Sequence, residues 1–412
     1  MPIDVKMAWR NIWRNPRRTI LTVMAITFAC IILVFMLSFQ FGSYETMINS
    51  SVKIQAGHLQ VQAQGYQEKK DMRLVVPDPD EVGDVLERTS GIEAYTFRTT
   101  AFSLVSSEER TYGIMVVGID PEREAGVSTL KNIIRQGEYL SDDDTNEALV
   151  GKLLAQNLHV GLGDELTVLG QGRDGSIAAT LVTVKGIYGS GLDEFDRSSI
   201  QIPISFFQDV YSMRGAVHEV VAIGESLKRL PKIKKAVMTR LADNDDNRTL
   251  VTLDWEELMP GLRQAIQLDL ASGMIFYLML IMVVAFSILN TFLMAIFERT
   301  KEFGIMMAIG TTPGRLTKLL LIESMTMTLV GIAAGIFLGS MLTLYFQAHG
   351  IDFASASELL RQFGISGRMY PKLSLLSAVT GPAAVFFITF LAALYPALKI
   401  RRLRPVEAMT HV

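Results

Sequence analysis

Glu298-Arg-Thr-Lys-Glu-Phe-Gly-Ile-Met-Met-Ala-Ile-Gly-Thr-Thr-Pro-Gly-Arg-Leu-Thr-Lys318 is a charged island between two long apolar runs. At helical spacing Phe303, Met306, Met307 and Ala308 share one side while Glu298, Lys301 and Glu302 lie elsewhere. That predicts a short amphipathic helix ended by Gly310, with Thr312-Pro313-Gly314 turning into the next run. So short a helix cannot bury its Met-rich face alone. It either presses that face into a partner or lies passively among lipid headgroups, and the segment by itself leaves both readings open.

Residues 269–297 and 319–346 on either side are long enough to cross a bilayer, which takes roughly 20 apolar residues. Residues 20–44 and 373–398 give two further spans. For the first, a cleaved signal peptide is the rival, but its uncharged run outlasts a signal core of about 7 to 15 residues, so an uncleaved anchor is expected. The totals agree with a divided chain. Of 412 residues 49% are hydrophobic, mean hydropathy is +0.30 and 20% are charged, too apolar for a soluble protein and too charged to be embedded throughout. A net charge of -3 excludes a generally basic nucleic-acid binder. The lone Cys30 can form no intrachain disulfide and reads as packing.

Positive charge is uneven. Residues 1–19 hold Lys6, Arg10, Arg14, Arg17 and Arg18 with Trp9 and Trp13 between them, the pattern of a basic interfacial helix. The loop 298–318 and the tail 399–412, with Arg401, Arg402 and Arg404, are also basic. All three are therefore expected in the cytoplasm, which puts residues 45–268 and the loop 347–372 outside. Within the spans, Gly331, Gly335 and Gly339 are spaced four apart and predict a helix-packing seam. Glu323, near one end of its span, fits an interhelical or snorkelling contact better than a proton carrier.

Residues 45–268 read as a mixed α and β domain. His58 to Gln64 alternates as a half-buried strand does, and strands are expected around Tyr95–Val105, Tyr112–Gly118, Glu165–Leu169, Ala178–Tyr188, Ile200–Ile204, Val217–Ile223 and Thr249–Leu253. Helices are expected over Asp78–Thr89, Glu147–Leu158 and Leu230–Asp243, and 137–213 looks like a β-rich insert. Enzyme chemistry is missing from this list. Gly151-Lys152 lacks the rest of a phosphate loop, His218-Glu219 has no second histidine four residues on, and Gly126-Val-Ser128 lacks the second glycine of a nucleophile elbow. The acidic clusters Asp142–Asp144 and Asp243–Asp246 fit solvated loops better than calcium sites.

Three stretches resemble the permeases of the MacB, FtsX and LolC/LolE superfamily of ABC transporters: Ala8-Trp-Arg-Asn-Ile-Trp-Arg-Asn-Pro-Arg-Arg-Thr19, Glu298 to Gly310, and Tyr395-Pro-Ala-Leu-Lys-Ile-Arg-Arg-Leu-Arg-Pro-Val-Glu-Ala408. The order of one span, a large outer domain and three spans resembles that family too. The resemblance implies four transmembrane helices with an α+β extracytoplasmic domain, porter-like with a sabre-like insert, between helices 1 and 2. It also implies a coupling helix that docks on a separate ATPase, through Glu298, Arg299, Glu302, Phe303, Gly304, Met307 and Gly310 at the matching positions. On that reading Met307→Asp should uncouple the machine. The chain itself would be non-catalytic and bind no cofactor, with ATP and Mg used by an ABC ATPase dimer, and a second permease, identical or not, would complete the complex in the inner membrane.

The strand from Gly57-His-Leu-Gln-Val and the lack of a fused nucleotide-binding domain look most like the lipoprotein-releasing branch. Lipoprotein is then the expected cargo, with export of a peptide, antibiotic or other amphiphile, or FtsX-like signalling to a cell-wall enzyme, as alternatives. A periplasmic carrier is a further candidate partner, although the hairpin at Gly170 to Gly175 is shorter than in permeases that dock one.

Overall fold

The computed structural model describes residues 3–242, 249–352 and 368–400; the Asp243–Asp246 run, residues 353–367 of the loop before the last span and the basic tail from Arg401 lie outside these. Among the described residues four helices are long and apolar enough to cross a membrane: Pro16–Ala56, Pro260–Glu298, Pro313–His349 and Leu375–Leu398. They are the first to fourth spans. The second has 39 residues, about 58 Å at 1.5 Å per residue, so it outruns a hydrocarbon core of about 30 Å. The first ends in a π-helical turn, Val52–Ala56. Contacts divide the chain into a helical unit, formed by the N-terminal residues to Tyr44, Ile266–Asp352 and the residues from Arg368, and an α/β unit from Glu45 to Ala265.

In the helical unit the third span lies directly on the first. A Cβ added to Gly335 would fall 2.4 Å from the Cys30 Cβ, one on Gly331 2.8 Å from that of Ile26, and one on Gly339 3.1 Å from that of Val34. Side chains at these positions would force the helices apart. The Thr27 hydroxyl donates to the Gly331 carbonyl at 3.1 Å along the same seam. Elsewhere Ser38 meets Ser377 of the fourth span at 2.9 Å, and Tyr44, Gln40 and Asp269 join the first span to the second. These bonds matter because lipid offers polar groups no alternative partners.

The α/β unit is built on ten strands: β1 (Leu59–Ala63), β2 (Ile92–Ser106), β3 (Thr111–Ile119), β4 (Ile134–Gly137), β5 (Glu147–Gly151), β6 (Glu165–Gln171), β7 (Ile177–Tyr188), β8 (Ser199–Pro203), β9 (Glu219–Gly224) and β10 (Leu250–Asp254). Their order is β10-β1-β9-β2-β3-β8-β5-β7-β4, and β6 pairs with both β2 and β7. That last pairing closes a ring, β2-β3-β8-β5-β7-β6, whose interior is filled by Val105, Val116, Val150, Leu166, Val182 and Ile200. On the open wing the helices Pro79–Glu87 and Leu230–Ala242 cover β1 and β9, with Leu59, Val61, Leu86, Ile233 and Val237 between them.

Two expectations change here. The β-rich part is not confined to 137–213, because β2 and β3 supply two of the six ring strands. Glu147–Leu158 is not one helix. Its first five residues are β5, flanked by β7 and β8, and the helix begins only at Lys152. Ala148, Leu149 and Val150 are buried on both faces of the sheet, so the stretch shows no alternation and cannot be told from a buried helix by period. In the acidic cluster 142–144, the Asp144 carboxylate accepts from the Lys185 ammonium at 2.6 Å and the Ser141 amide at 2.8 Å, which ties the loop to β7.

Candidate functional site

The segment between the second and third spans forms the helix Thr300–Ala308. Gly310 follows at φ +104, the left-handed region that glycine enters freely. There the Thr311 amide donates to the Met306 carbonyl and the Gly310 amide to that of Met307, closing the helix end. Thr312 then precedes Pro313 at the first turn of the third span, where proline's missing N–H costs nothing.

The buried face of this helix is Thr300, Phe303, Gly304 and Met307, at spacing i, i+3, i+4, i+7. Phe303 and Met307 pack on Ile296 from the second span and Leu316 and Leu320 from the third. The face expected to seek a partner is therefore already covered by the chain's own helices, and Ala308, expected on that face, is exposed. The reason is length: the two spans run far enough to receive the helix as a third member of their hairpin. What remains outward is Lys301, Ile305, Ala308 and Ile309, with Ile309 82% exposed. Met307→Asp would place a carboxylate inside a hairpin core, so it tests folding before it tests docking.

Charge organises the same junction. Arg14 donates to Glu302, and Arg18 donates to Glu298 at 3.1 Å. Arg299 is buried, donating through Nε to Glu302 at 3.2 Å and through Nη1 to Glu323 of the third span at 3.3 Å. Its guanidinium also lies 5.4 Å from the Phe303 ring centroid. Three arginines and three glutamates thus join the N-terminal segment, the connecting helix and the third span. The hydrogen bond from Arg14, and then that from Arg299, hold the Glu302 carboxyl below the usual carboxylate range despite partial burial. Glu323 is 4% exposed and held by Arg299, an interhelical contact and not a snorkelling one.

Of the seven residues singled out from the sequence, the junction uses Glu298, Arg299 and Glu302 as its charged members, Phe303, Gly304 and Met307 as its core, and Gly310 as its stop. Arg14 and Arg18 were not paired with them by sequence reasoning. A signal existed: the two cations are four residues apart, as are Glu298 and Glu302. A second feature lies in the α/β unit, a cavity of about 620 Å³ whose lining includes Gln55, Met115, Leu192, Phe195, Met259 and Leu262.

Known proteins match along the whole of this architecture. The family described as MacB-like periplasmic core domain matches residues 19–251, and the FtsX-like permease C-terminal family matches residues 274–405. The chain is 22% identical over 404 residues to the lipoprotein-releasing system transmembrane protein LolC of Xylella fastidiosa (strain 9a5c), covering 95% of this chain and 93% of that one. It is 22% identical over 322 residues to the corresponding protein LolE of Haemophilus influenzae, covering 75% of each. It is 33% identical over 128 residues to the macrolide export ATP-binding/permease protein MacB of Chlorobium luteolum, which covers 30% of this chain and 16% of that protein. With one family running through the first span and the α/β unit and the other through the remaining three spans, the chain belongs to the ABC transporter permeases that join a MacB-like periplasmic core domain to an FtsX-like C-terminal half.

Proposed function

We propose that this chain is the transmembrane subunit of an ATP-driven machine that releases lipoproteins from the inner membrane. ATP and Mg are used by a separate cytoplasmic ABC ATPase dimer, and both termini face the cytoplasm. The observation that carries the reading is the junction: a helix whose inner face is packed on two spans and whose charged side is tied to the N-terminal segment. A push on its outward residues, Lys301, Ile305, Ala308 and Ile309, is delivered to the ends of the second and third spans together. A second permease meets the exposed face of the second span, where Asn290 sits between Phe286 and Met294 with no hydrogen bond among the described residues. A polar side chain facing lipid is costly, and an interhelical hydrogen bond would satisfy it. Lipoprotein is favoured as cargo by similarity over nearly the full chain to a lipoprotein-releasing protein.

The test is co-purification with the partner ATPase and release of a fluorescent lipoprotein from proteoliposomes. Ile309→Asp should abolish both while leaving membrane insertion intact, and full activity in that variant would refute the docking face. Export of a different amphiphile is the second reading, favoured by the MacB relative. ATPase stimulation by a macrolide but not by lipoprotein would establish it instead.

A further inference from the structure

Outside the junction, the helical unit holds an apolar cleft of about 150 Å³ between the N-terminal helix, the first span and the third. Trp9, Trp13, Ile20, Met24, Met327 and Val330 are among its lining residues. The two hydroxyl side chains in the lining are already used: the Thr19 hydroxyl donates to the Ile12 carbonyl at 2.7 Å and that of Thr326 to the Ile322 carbonyl at 2.7 Å. Apart from the indole N–H groups of Trp9 and Trp13, the lining is apolar. The cleft suits hydrocarbon, and its walls stay open, with Trp9 48%, Trp13 57% and Met24 61% exposed.

Charge at the mouth selects which hydrocarbon. The six charged groups of the junction balance, three against three, and in the N-terminal segment Arg10 and Arg17 remain outside that balance. Both are exposed and form no ion pair among the described residues. Arg17, Ile20 and Met24 stand at i, i+3 and i+7 on one stripe of the first span, so Arg17 lies one turn beyond the cleft wall. Arg10 is three residues from Trp13 on the other wall. We propose that the cleft holds one acyl chain of an anionic phospholipid whose phosphate lies between Arg10 and Arg17. The lipid then sits beside the Arg14–Glu302 and Arg18–Glu298 bonds, so that lipid charge sets how firmly the N-terminal segment grips the junction. This proposal does not depend on the cargo.

The chain has three tryptophans, and with Trp255→Phe as background only Trp9 and Trp13 report. In vesicles, phosphatidylglycerol with brominated acyl chains should half-quench them at a mole fraction roughly tenfold lower than brominated phosphatidylcholine, as expected for two cations near one phosphate. Arg10→Gln with Arg17→Gln should make the two lipids equal. Val330→Phe, which fills the cleft but keeps both cations, should also remove the preference. Equal quenching in the unsubstituted protein would reduce the cleft to ordinary lipid contact and overturn the proposal, as would a preference that survives loss of both arginines. Absence of quenching by either lipid would mean that protein, such as a second copy, covers the cleft.

Discussion

Among the described residues each unit contains one buried arginine–glutamate pair, and the two are built differently. In the α/β unit Arg98 of β2 faces Glu124 with two bonds, Nη2 to Oε1 at 2.5 Å and Nε to Oε2 at 3.0 Å. Its remaining nitrogen donates to the Gln55 carbonyl, inside the π-helical turn that ends the first span helix. In the helical unit Arg299 reaches Glu323 with one bond and gives its other donor to Glu302, which Arg14 also shares. The first pair is closed, with planar fork matched to carboxylate and nothing left over. The second is open, with one cation divided between two carboxylates, one of which a second arginine also holds. A closed pair holds an irregular piece of backbone in place, whereas an open one suits a joint that must move under load.

The largest effect is expected from Arg98→Leu. It strands Glu124, only 2% exposed, without its partner, and leaving one charge of a buried pair costs about 3–5 kcal/mol. Denaturation of the full-length protein in detergent should show that loss. Adding Glu124→Leu should recover most of it, because two apolar residues can replace a buried pair at little cost. If the double variant is no better than the single one, the pair is not the closed unit described.

Next in size is an effect of pH. His218 is fully buried beside Arg98, its amide donating to the Arg98 carbonyl at 3.1 Å and its Nδ1 accepting from the Thr100 amide at 3.0 Å. Burial pushes the imidazole down to about 4. The unfolded chain binds the proton near pH 6.5 and the folded one does not, so stability is present above 6.5 and falls as pH drops toward 4. The full change is on the order of 3 kcal/mol for a shift of this size. His218→Gln should flatten the melting temperature between pH 6.5 and 4.5, whereas a slope left unchanged would assign the acid sensitivity elsewhere.

These two sites also show what the sequence could and could not reveal. The four spans were legible because a bilayer demands long uncharged runs, and Gly331, Gly335 and Gly339 showed their spacing within one such run. Strands β6 and β7 were legible because their ends are marked by local turn chemistry. The ring was not, since it closes by pairing Leu104 with Leu169 across the intervening chain, and no local pattern encodes that contact. The junction was half legible for the same reason: amphipathic spacing marked the helix, but only the fold brings Arg14 to Glu302 and lays Phe303 and Met307 against the chain's own spans.

A third test probes the open pair. Glu323→Gln keeps the shape and leaves Arg299 bonded to Glu302, so stability should fall by only about 1–3 kcal/mol, less than for Arg98→Leu. A loss as large as that of Arg98→Leu would show that Arg299 cannot lean on Glu302 and that the joint is as closed as the other pair.

The smallest effect is expected from Arg14→Gln. The side chains of Arg14 and Glu302 are 51% and 44% exposed, so their bond should contribute about 0–1 kcal/mol and weaken as salt screens it. Unfolding should barely change. Yet Arg14 is the largest influence holding the Glu302 carboxyl low, so without it that carboxyl should titrate closer to the ordinary range, by carbon-detected NMR of labelled glutamate. The sign follows: a lowered carboxylate contributes stability above its unfolded value and loses it as pH falls, and Arg14→Gln should remove that small acid dependence. Glu302→Gln should go further, because it frees Arg299 as well as Arg14. If the two variants behaved alike, Arg299 would be drawing nothing from Glu302, and the junction would be two separate pairs in place of one shared network.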